Sequence, residues 1–307
     1  MADPAQRLPA VQTGDVVLCH PRATDQLRWP WASVSKQVLA ILIMQQVDAG
    51  EIALDTPADR YLPALKGAPA PTIRQLLQHR AGLRNPNDSP VDKNGNPSFY
   101  SDGATGLEWC VAGRSAPGGD WRYNNCDSIV LGAMLQRVSG TPLPALFAAR
   151  IAAPLALDGT AYAGQPATAL PALAGPLPPG YETSLERYGA AGGLIGTGAD
   201  LLAIDRALLA GRLLSPGARD AMWAGDAKLG YMALAQWVFD APIKGCPKPV
   251  RIVERRGAIG RYQVRNIILP DRDRIIILFT AREKQEFGEV WQGKGLAHDL
   301  LSAAACA

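Results

Sequence analysis

The chain has 307 residues, of which 48% are hydrophobic and 19% charged, and its net charge is +3. This balance is typical of a soluble globular protein, and the length allows one large domain or two lobes. The sequence has no basic run and no apolar stretch of membrane-spanning length. These features argue against nucleic acid as a partner and against a transmembrane helix.

The first residues leave the cellular compartment open. The opening sequence MADP does not begin the apolar core of a signal peptide. We therefore expect either a cytoplasmic protein, or a periplasmic or secreted protein from which a leader was removed.

Five cysteines are spread along the chain without a C-x-x-C pair. They are Cys19, Cys110, Cys126, Cys246 and Cys306. This spacing and the scattered histidines do not fit a zinc site, and we expect neither a metal nor a cofactor. One or two disulfides are possible, with one thiol left over because the count is odd. For Cys126, a small buried side chain is expected rather than a nucleophile.

The first third of the chain predicts strands followed by a buried helix. Residues 15–20 and 27–31 have the pattern of short extended segments. A helix that is apolar nearly all round follows from about Ser33 and ends at Gly50, which suits the left-handed position after a helix. Thr72 is expected to cap the next helix, which reaches His79. Residues 85–103 are polar and predict a long loop.

The remainder predicts helices and then strands. Helices are expected at 126–138, 142–151, 199–209 and from Ser215, with an irregular segment at 165–180. Strands are expected at 229–239, 250–256, 262–269 and 275–281, before a final helix at 287–305. The order predicts an α+β fold: an antiparallel sheet flanked by helices, with an inserted all-helical lobe. The sheet lobe would comprise 1–63 and 186–307, and the helical lobe 64–185.

Ser33 and Lys36 have the spacing of a nucleophile and its base. A serine hydroxyl needs a base within hydrogen-bonding distance, and residues three apart share one face of a helix. Burial in the apolar helix would lower the pKa of Lys36. The N–H groups of the first turn could hold a developing oxyanion. The alternative is an N-cap serine followed by a solvated lysine.

The sequence YNN at 123–125 supplies a second candidate proton acceptor on a separate segment. Tyrosine has an ordinary pKa of about 10, so it becomes a useful base only if nearby cations stabilise the phenolate. The alternatives are a half-buried aromatic side chain in a turn for Tyr123 and a helix N-cap for Asn125.

Several segments, in order, resemble one enzyme superfamily. They are WASVSK at 31–36, TIRQLLQHRAGL at 72–83, YNN at 123–125 and AGGL at 191–194. The chain resembles the serine β-lactamase and penicillin-binding-protein superfamily over about residues 31–279. Within it, the chain is most similar to the branch of class C β-lactamases, D-Ala-D-Ala carboxypeptidases, D-aminopeptidases and related carboxylesterases.

The resemblance implies roles for the matching positions. Ser33 would be acylated, Lys36 would share protons with it, and Tyr123 would act as base toward Ser33 and acid toward the leaving group. Asn125 would hydrogen-bond the substrate. The implied fold is that of β-lactamases and transpeptidases.

The third family motif is altered in this chain. The family usually has K-T-G or H-x-G on the strand that lines the site, whereas residues 255–257 are RRG. Gly257 fits close backbone approach, and the N–H of Ala258 would be an oxyanion donor. Arg255 cannot lose its proton as lysine can, which argues against β-lactamase activity and favours binding of a substrate carboxylate. The alternative is a surface-exposed arginine pair on an edge strand.

These residues predict a serine acyl-hydrolase that forms a covalent acyl-enzyme on an ester or a D-amino-acid peptide. Two alternatives are a class C-like β-lactamase and a catalytically idle relative that binds peptidoglycan peptides. A small-molecule or peptide substrate is the expected partner. The sequence does not indicate the oligomeric state.

Overall fold

The computed structural model describes residues 15–18, 27–92, 97–100, 106–164, 181–282 and 285–306. The segment predicted to be irregular, 165–180, and one cysteine, Cys19, lie outside these ranges. Within them, helices combine with largely antiparallel sheets, which confirms the predicted α+β class. The boundaries of the two lobes stay a prediction.

The described strands form two sheets. The strands are β1 (Asp15–Leu18), β2 (Trp29–Pro30), β3 (Ala161–Tyr162), β4 (Leu194–Gly196), β5 (Trp237–Ala241), β6 (Val250–Ile259), β7 (Tyr262–Leu269) and β8 (Arg274–Thr280). The larger sheet has the order β1-β8-β7-β6-β5, and the smaller has the order β2-β4-β3. All pairings are antiparallel except that of β1, which lies parallel to β8 at the edge of the large sheet.

Nine α-helices lie within the described residues. They are α1 (Ser35–Asp48), α2 (Ile73–Leu77), α3 (Leu107–Val111), α4 (Asn125–Ser139), α5 (Leu143–Phe147), α6 (Tyr181–Tyr188), α7 (Gly198–Leu209), α8 (Pro216–Met222) and α9 (Leu296–Ala304). A π-helical turn, Ala148–Ala152, continues α5. None of the described helices is long and apolar enough to cross a membrane.

Apolar side chains cover both faces of the large sheet. Val253 and Ile277 pack in the core that contains α1, while Ile252 and Ile276 pack in the core that contains α9. Since side chains alternate along a strand, a sheet covered on both faces needs nearly continuous apolar strands. This requirement explains why the C-terminal third of the sequence is so rich in isoleucine and valine.

The helix ends follow the predicted capping chemistry. Thr72 and Gln75 form a capping box at the start of α2, and Gly50 has φ +75° just after α1. The predicted final helix, in contrast, begins late, at Leu296 instead of residue 287. Three glycines with positive φ, Gly288, Gly293 and Gly295, interrupt the earlier part, and a right-handed helix cannot pass through them.

Two predicted strands differ from the structure. β5 begins at Trp237 instead of residue 229, because Gly230, Tyr231 and Ala235 have left-handed backbone conformations that an extended strand does not allow. The extended segment at 27–31 joins the small sheet through β2 and not the large one. A strand of two residues carries too short a pattern to reveal its partner in the sequence.

Two disulfides connect the cysteines that the structure describes. Cys110 of α3 joins Cys126 of α4, and Cys246 joins Cys306 beyond α9. Two disulfides agree with the expected one or two, and Cys126 is buried as expected, with its sulfur bonded to Cys110. Its spacing from Cys110 holds no signal, because partners depend on how two helices pack.

A buried polar chain connects α1, α7 and β7. Gln37 Nε2 donates to Asp205 Oδ1 at 2.6 Å, and Asn266 Nδ2 donates to Gln37 Oε1 at 3.1 Å. Asp205 is 0% exposed, and burial raises its pKa from 3.8 to about 7 despite the hydrogen bonds from Asn266 and Gln37. The fold therefore holds a carboxyl group that resists ionisation.

Replacing Asp205 with asparagine should stabilise the fold, and the gain should grow with pH. The folded wild type keeps this carboxyl neutral up to a pKa of about 7, whereas the unfolded chain ionises it near 3.8. The wild type thus loses free energy of unfolding as the pH rises from about 4 to about 7, and Asp205→Asn does not. The variant's Tm should exceed that of the wild type by about 3–8 °C at pH 8 and by little at pH 4.

Asp271→Asn, in the exposed β7–β8 turn, is the matched control, and its Tm difference should stay near zero throughout. A difference for Asp205→Asn that does not change with pH would contradict the expectation.

Candidate active site

Ser33 lies in a short turn that precedes the central helix. Residues Ala32–Val34 form one 3₁₀ turn, and α1 begins two residues after Ser33. The N–H of Trp31 donates to the carbonyl of Leu194 on β4 at 2.9 Å, which fixes the approach to the turn. Ala32 has φ +45°, an uncommon conformation for a residue with a side chain. No pattern in the sequence indicated this strained residue beside Ser33.

The hydroxyl of Ser33 lies between an amine and a phenol. Lys36 Nζ is 3.0 Å from Ser33 Oγ, and Tyr123 OH also hydrogen-bonds this oxygen. Lys36 is 0% exposed and donates to the carbonyl of Ala191 at 2.5 Å, so its amine has a fixed direction. The structure therefore brings together the three residues that the sequence proposed for catalysis, which are 90 positions apart at their extremes.

Ser35, the other serine of the motif, is fully buried and has a different partner. Its Oγ accepts a hydrogen bond from the N–H of Leu194 at 3.1 Å. Ser35 therefore anchors α1 to the small sheet, while the partly buried Ser33 borders a cavity.

Opposing effects set the protonation of the site. Burial lowers the pKa of Lys36 from 10.5 to about 8, although Tyr123 raises it. Burial raises the pKa of Tyr123, but the positive charges of Lys36 and Arg255 outweigh it, so the pKa ends below 10.0. Because both pKa values are lowered, more of Lys36 is neutral amine and more of Tyr123 is phenolate, and either form can accept the Ser33 proton.

Arg255 is buried beside these groups. Its Nε donates to the carbonyl oxygen of Ser33 at 2.9 Å, and one terminal nitrogen lies 3.4 Å from Tyr123 OH. The residue is 1% exposed on β6, an interior strand of the sheet. The alternative of an exposed arginine pair on an edge strand is therefore wrong for Arg255.

Gly257 permits β6 to approach Ser33. A Cβ atom at this position would lie 2.4 Å from the carbonyl oxygen of Trp31 and 3.1 Å from the nitrogen of Ser33. Ala258 follows, exposed, and lines a cavity of about 360 Å³ together with Ser33, Tyr123 and Trp237. The arrangement places the backbone of 257–258 next to the nucleophile, where oxyanion donors are needed.

Asn125 has a different neighbour from the other predicted site residues. Its Nδ2 donates to Tyr100 OH at 2.7 Å, and Tyr100 stacks on Tyr188 at 3.9 Å between ring centroids. The N-cap of α4 is Asn124, whose side chain accepts from the N–H of Cys126. The capping alternative therefore applies to Asn124, and a substrate-binding role for Asn125 stays a prediction.

One buried histidine, His79, lies at the site but was not among the predicted site residues. His79 lies next to Tyr123, with 4.8 Å between their ring centroids, and its Nδ1 is 3.1 Å from Asp127 Oδ2. The sequence placed His79 only at the end of a predicted helix and within the segment 72–83 that carries the resemblance. The available signal was a histidine at the end of a helix whose neighbouring apolar residues indicate burial.

A family model described as Beta-lactamase matches residues 9–298. This chain belongs to the beta-lactamase family. The resemblance predicted from the ordered motifs is thereby confirmed, and so is the predicted fold.

Curated relatives share part of their length with this member of the family. Esterase EstB of Burkholderia gladioli is 32% identical over 146 residues, which is 41% of this chain and 36% of the esterase. A D-aminopeptidase of Cereibacter sphaeroides is 30% identical over 130 residues, or 41% of this chain and 25% of that enzyme. The matches thus span about a third or less of these relatives.

Solved structures share the fold over most of the chain. A D-stereospecific amidohydrolase from Streptomyces sp. has a TM-score of 0.68 at 23% identity and covers 84% of this chain and 83% of its own. A penicillin-binding protein from Bacillus halodurans has a TM-score of 0.66 at 20% identity, with coverage of 85% and 84%.

Gly257→Ala should slow the reaction of Ser33 with a fluorophosphonate. The added methyl group would push β6 away from the 3₁₀ turn and move a candidate oxyanion donor, whose loss typically costs about 10²–10³-fold in rate. The measurement is the second-order labelling rate at a single pH. Gly217→Ala on α8 is the control, because a Cβ there meets nothing within 4 Å. Equal labelling rates for Gly257→Ala and wild type would show that this close approach is not required.

Proposed function

We propose that this protein is a serine acyl-hydrolase that works through a covalent acyl-enzyme on Ser33. The observation that carries the proposal is the position of the Ser33 hydroxyl, hydrogen-bonded by both Lys36 and Tyr123. A serine with two proton acceptors of shifted pKa, at the edge of a cavity, has the parts that nucleophilic catalysis requires.

The proposed acylation step uses the contacts around Ser33. The Tyr123 phenolate accepts the Ser33 proton as Oγ forms a bond to the substrate carbonyl carbon, with Lys36 stabilising the charge on both oxygens. The N–H groups of Ser33 and Ala258 hold the oxyanion. When the tetrahedral intermediate collapses, the bond to the leaving group breaks and Tyr123 returns the proton to the departing oxygen or nitrogen.

Deacylation runs the same proton path in reverse. Water takes the place of the leaving group, Tyr123 removes its proton, and the new C–O bond forms as the ester to Ser33 breaks. The proton returns to Ser33 Oγ. A single phenol can serve both steps because it is deprotonated when each nucleophile attacks and protonated when each leaving group departs.

The substrate class is an ester or a D-amino-acid peptide. Support comes from the relatives, which include an esterase and a D-aminopeptidase. The cavity of about 360 Å³ beside Ser33 suits a small acyl group or a short peptide. No observation favours β-lactam turnover or an idle binding role over this proposal.

Arg255 acts on Tyr123 in this proposal more than on a substrate carboxylate. Its guanidinium is buried and already hydrogen-bonds Ser33 and approaches Tyr123. Its remaining terminal nitrogen, Nη1, has no hydrogen-bond partner among the described residues, but that atom is buried. The sequence favoured binding of a substrate carboxylate, whereas the contacts of Arg255 with Ser33 and Tyr123 favour an effect on Tyr123.

An oxidising compartment fits the proposal. Two disulfides, Cys110–Cys126 and Cys246–Cys306, persist in periplasmic and secreted proteins and are rare in the cytosol. We therefore favour the periplasmic or secreted location over the cytoplasmic one.

A fluorophosphonate should attach to Ser33 alone. The hydroxyl of Ser33 borders the cavity, whereas that of Ser35 is fully buried and accepts a backbone hydrogen bond. Peptide mass spectrometry after labelling locates the adduct. Ser33→Ala should abolish labelling and hydrolysis of p-nitrophenyl acetate, and Ser35→Ala is the control that should still be labelled. An adduct on another residue of active protein would refute the assignment.

Removing the charge of Arg255 should shift the acidic limb of the pH–rate profile upward. Arg255 lowers the pKa of Tyr123, so without it the phenolate forms only at higher pH. For Arg255→Met, kcat/KM should fall by about 10–10²-fold on both a neutral p-nitrophenyl ester and a carboxylate-bearing analogue. Arg255→Lys keeps a cation and should lose less. A loss confined to the carboxylate substrate, with an unmoved acidic limb, would restore the carboxylate-binding role.

A further inference from the structure

His79 lies behind the phenol ring that contacts Ser33. The centroids of His79 and Tyr123 are 4.8 Å apart, and Trp121 packs edge-on to the histidine at 6.3 Å. His79 is 3% exposed, so it cannot contact substrate directly. It can affect the reaction only through the groups that it touches.

Asp127 holds the histidine in place. His79 Nδ1 and Asp127 Oδ2 are 3.1 Å apart, and both side chains are 1% exposed. His79 follows α2, whereas Asp127 lies in the first turn of α4, four residues after Tyr123. The pair therefore connects α2 to the helix that begins just after Tyr123.

The backbone of His79 also reaches this segment. His79 has φ +58°, a conformation that costs free energy for a residue with a side chain. In this conformation its carbonyl oxygen accepts the N–H of Arg122 at 3.1 Å, one residue before Tyr123. His79 therefore holds the segment around Tyr123 at two points, Arg122 through its backbone and Asp127 through its side chain.

The charged groups around the pair are those of the active site. The charges of Arg255 on β6 and Lys36 on α1 act on His79, and Asp127 on α4 hydrogen-bonds it. Burial, followed by the charges of Arg255 and Lys36, places the pKa of His79 well below 6.5. Burial raises the pKa of Asp127 well above 3.8, although Lys36 opposes it. Both directions favour the uncharged imidazole and the uncharged carboxyl group.

We propose that His79, held by Asp127, is a positioning residue that fixes the Tyr123 ring against Ser33 and keeps the space behind it free of water. The inference rests on the proposed function. A phenol that could tilt backward would leave hydrogen-bonding distance of Ser33 and move away from the two cations. Water behind the ring would solvate both forms of the phenol and weaken the same cations.

His79→Asn tests the inference with little disturbance of the backbone. Asparagine tolerates positive φ, and its amide can take the place of Nδ1 toward Asp127, but it lacks the ring that packs on Tyr123. We expect kcat for p-nitrophenyl acetate to fall by about 10–10²-fold with KM within about threefold. The acidic limb of the pH–rate profile should move upward, because the two cations act on Tyr123 less effectively.

The matched control is the other described buried histidine, His298 on α9, across the large sheet from α1. His298→Asn should leave both kcat and the pH profile as in wild type. Asp127→Ala should resemble His79→Asn, while Asp127→Asn, which keeps the hydrogen bond, should recover most of the lost rate. All rates are divided by the fraction of sites titrated by a fluorophosphonate, which removes any effect of misfolding.

Two outcomes would overturn the inference. One is wild-type kcat and pH profile in His79→Asn, and the other is a loss that disappears when rates are expressed per titrated site. Failure of the proposed function is recognised separately, since the wild type would then show no Ser33 adduct or Ser33→Ala would keep its activity.

Discussion

Two buried cations without a carboxylate partner are the constraint on which this active site depends. In the described part of the chain, Lys36 and Arg255 hydrogen-bond only carbonyl and hydroxyl oxygens. Burying a cation is costly unless an opposite charge is near. Tyr123 is the group that can supply that charge by losing its proton, and it lies against both. The two buried cations therefore stabilise the phenolate and lower the pKa of Tyr123.

Side chains of β6 alternate between the two faces of the sheet, so this strand contributes both to the active site and to the opposite face. Arg255 faces Ser33, while its neighbours Glu254 and Arg256 face the opposite side of the sheet. There Glu254, 0% exposed, accepts from Arg256 at 3.0 Å and from Arg265 at 2.5 Å, and Arg256 also pairs with Glu289. Two carboxylates balance two guanidinium groups on that side. Among the described residues no carboxylate forms an ion pair with Arg255, although Glu254 raises its pKa, and Arg255 hydrogen-bonds Tyr123 instead.

Some of the fold and site could be predicted because the signals are local. Ser33 and Lys36 meet through the geometry of one helical turn, and Thr72 caps α2 through its own hydroxyl. Tyr123 and Arg255 could be placed only through a resemblance, since contacts over 90 and 132 positions leave no periodic trace. The positive φ of Ala32 and the pairing of Cys110 with Cys126 depend on tertiary packing and were missed. The same holds for the burial of Asp205 inside the core.

The choice of arginine at position 255 has a consequence for how protons move. A lysine buried beside Lys36 would be a third titrating group, and repulsion between the two amines would favour loss of its proton. Arginine keeps its proton throughout the range in which enzymes work, even though burial lowers its pKa. The site therefore separates a permanent charge, Arg255, from two groups that exchange protons, Lys36 and Tyr123. Because the permanent charge raises the acidity of both exchanging groups, each becomes a proton acceptor at a lower pH than it would alone.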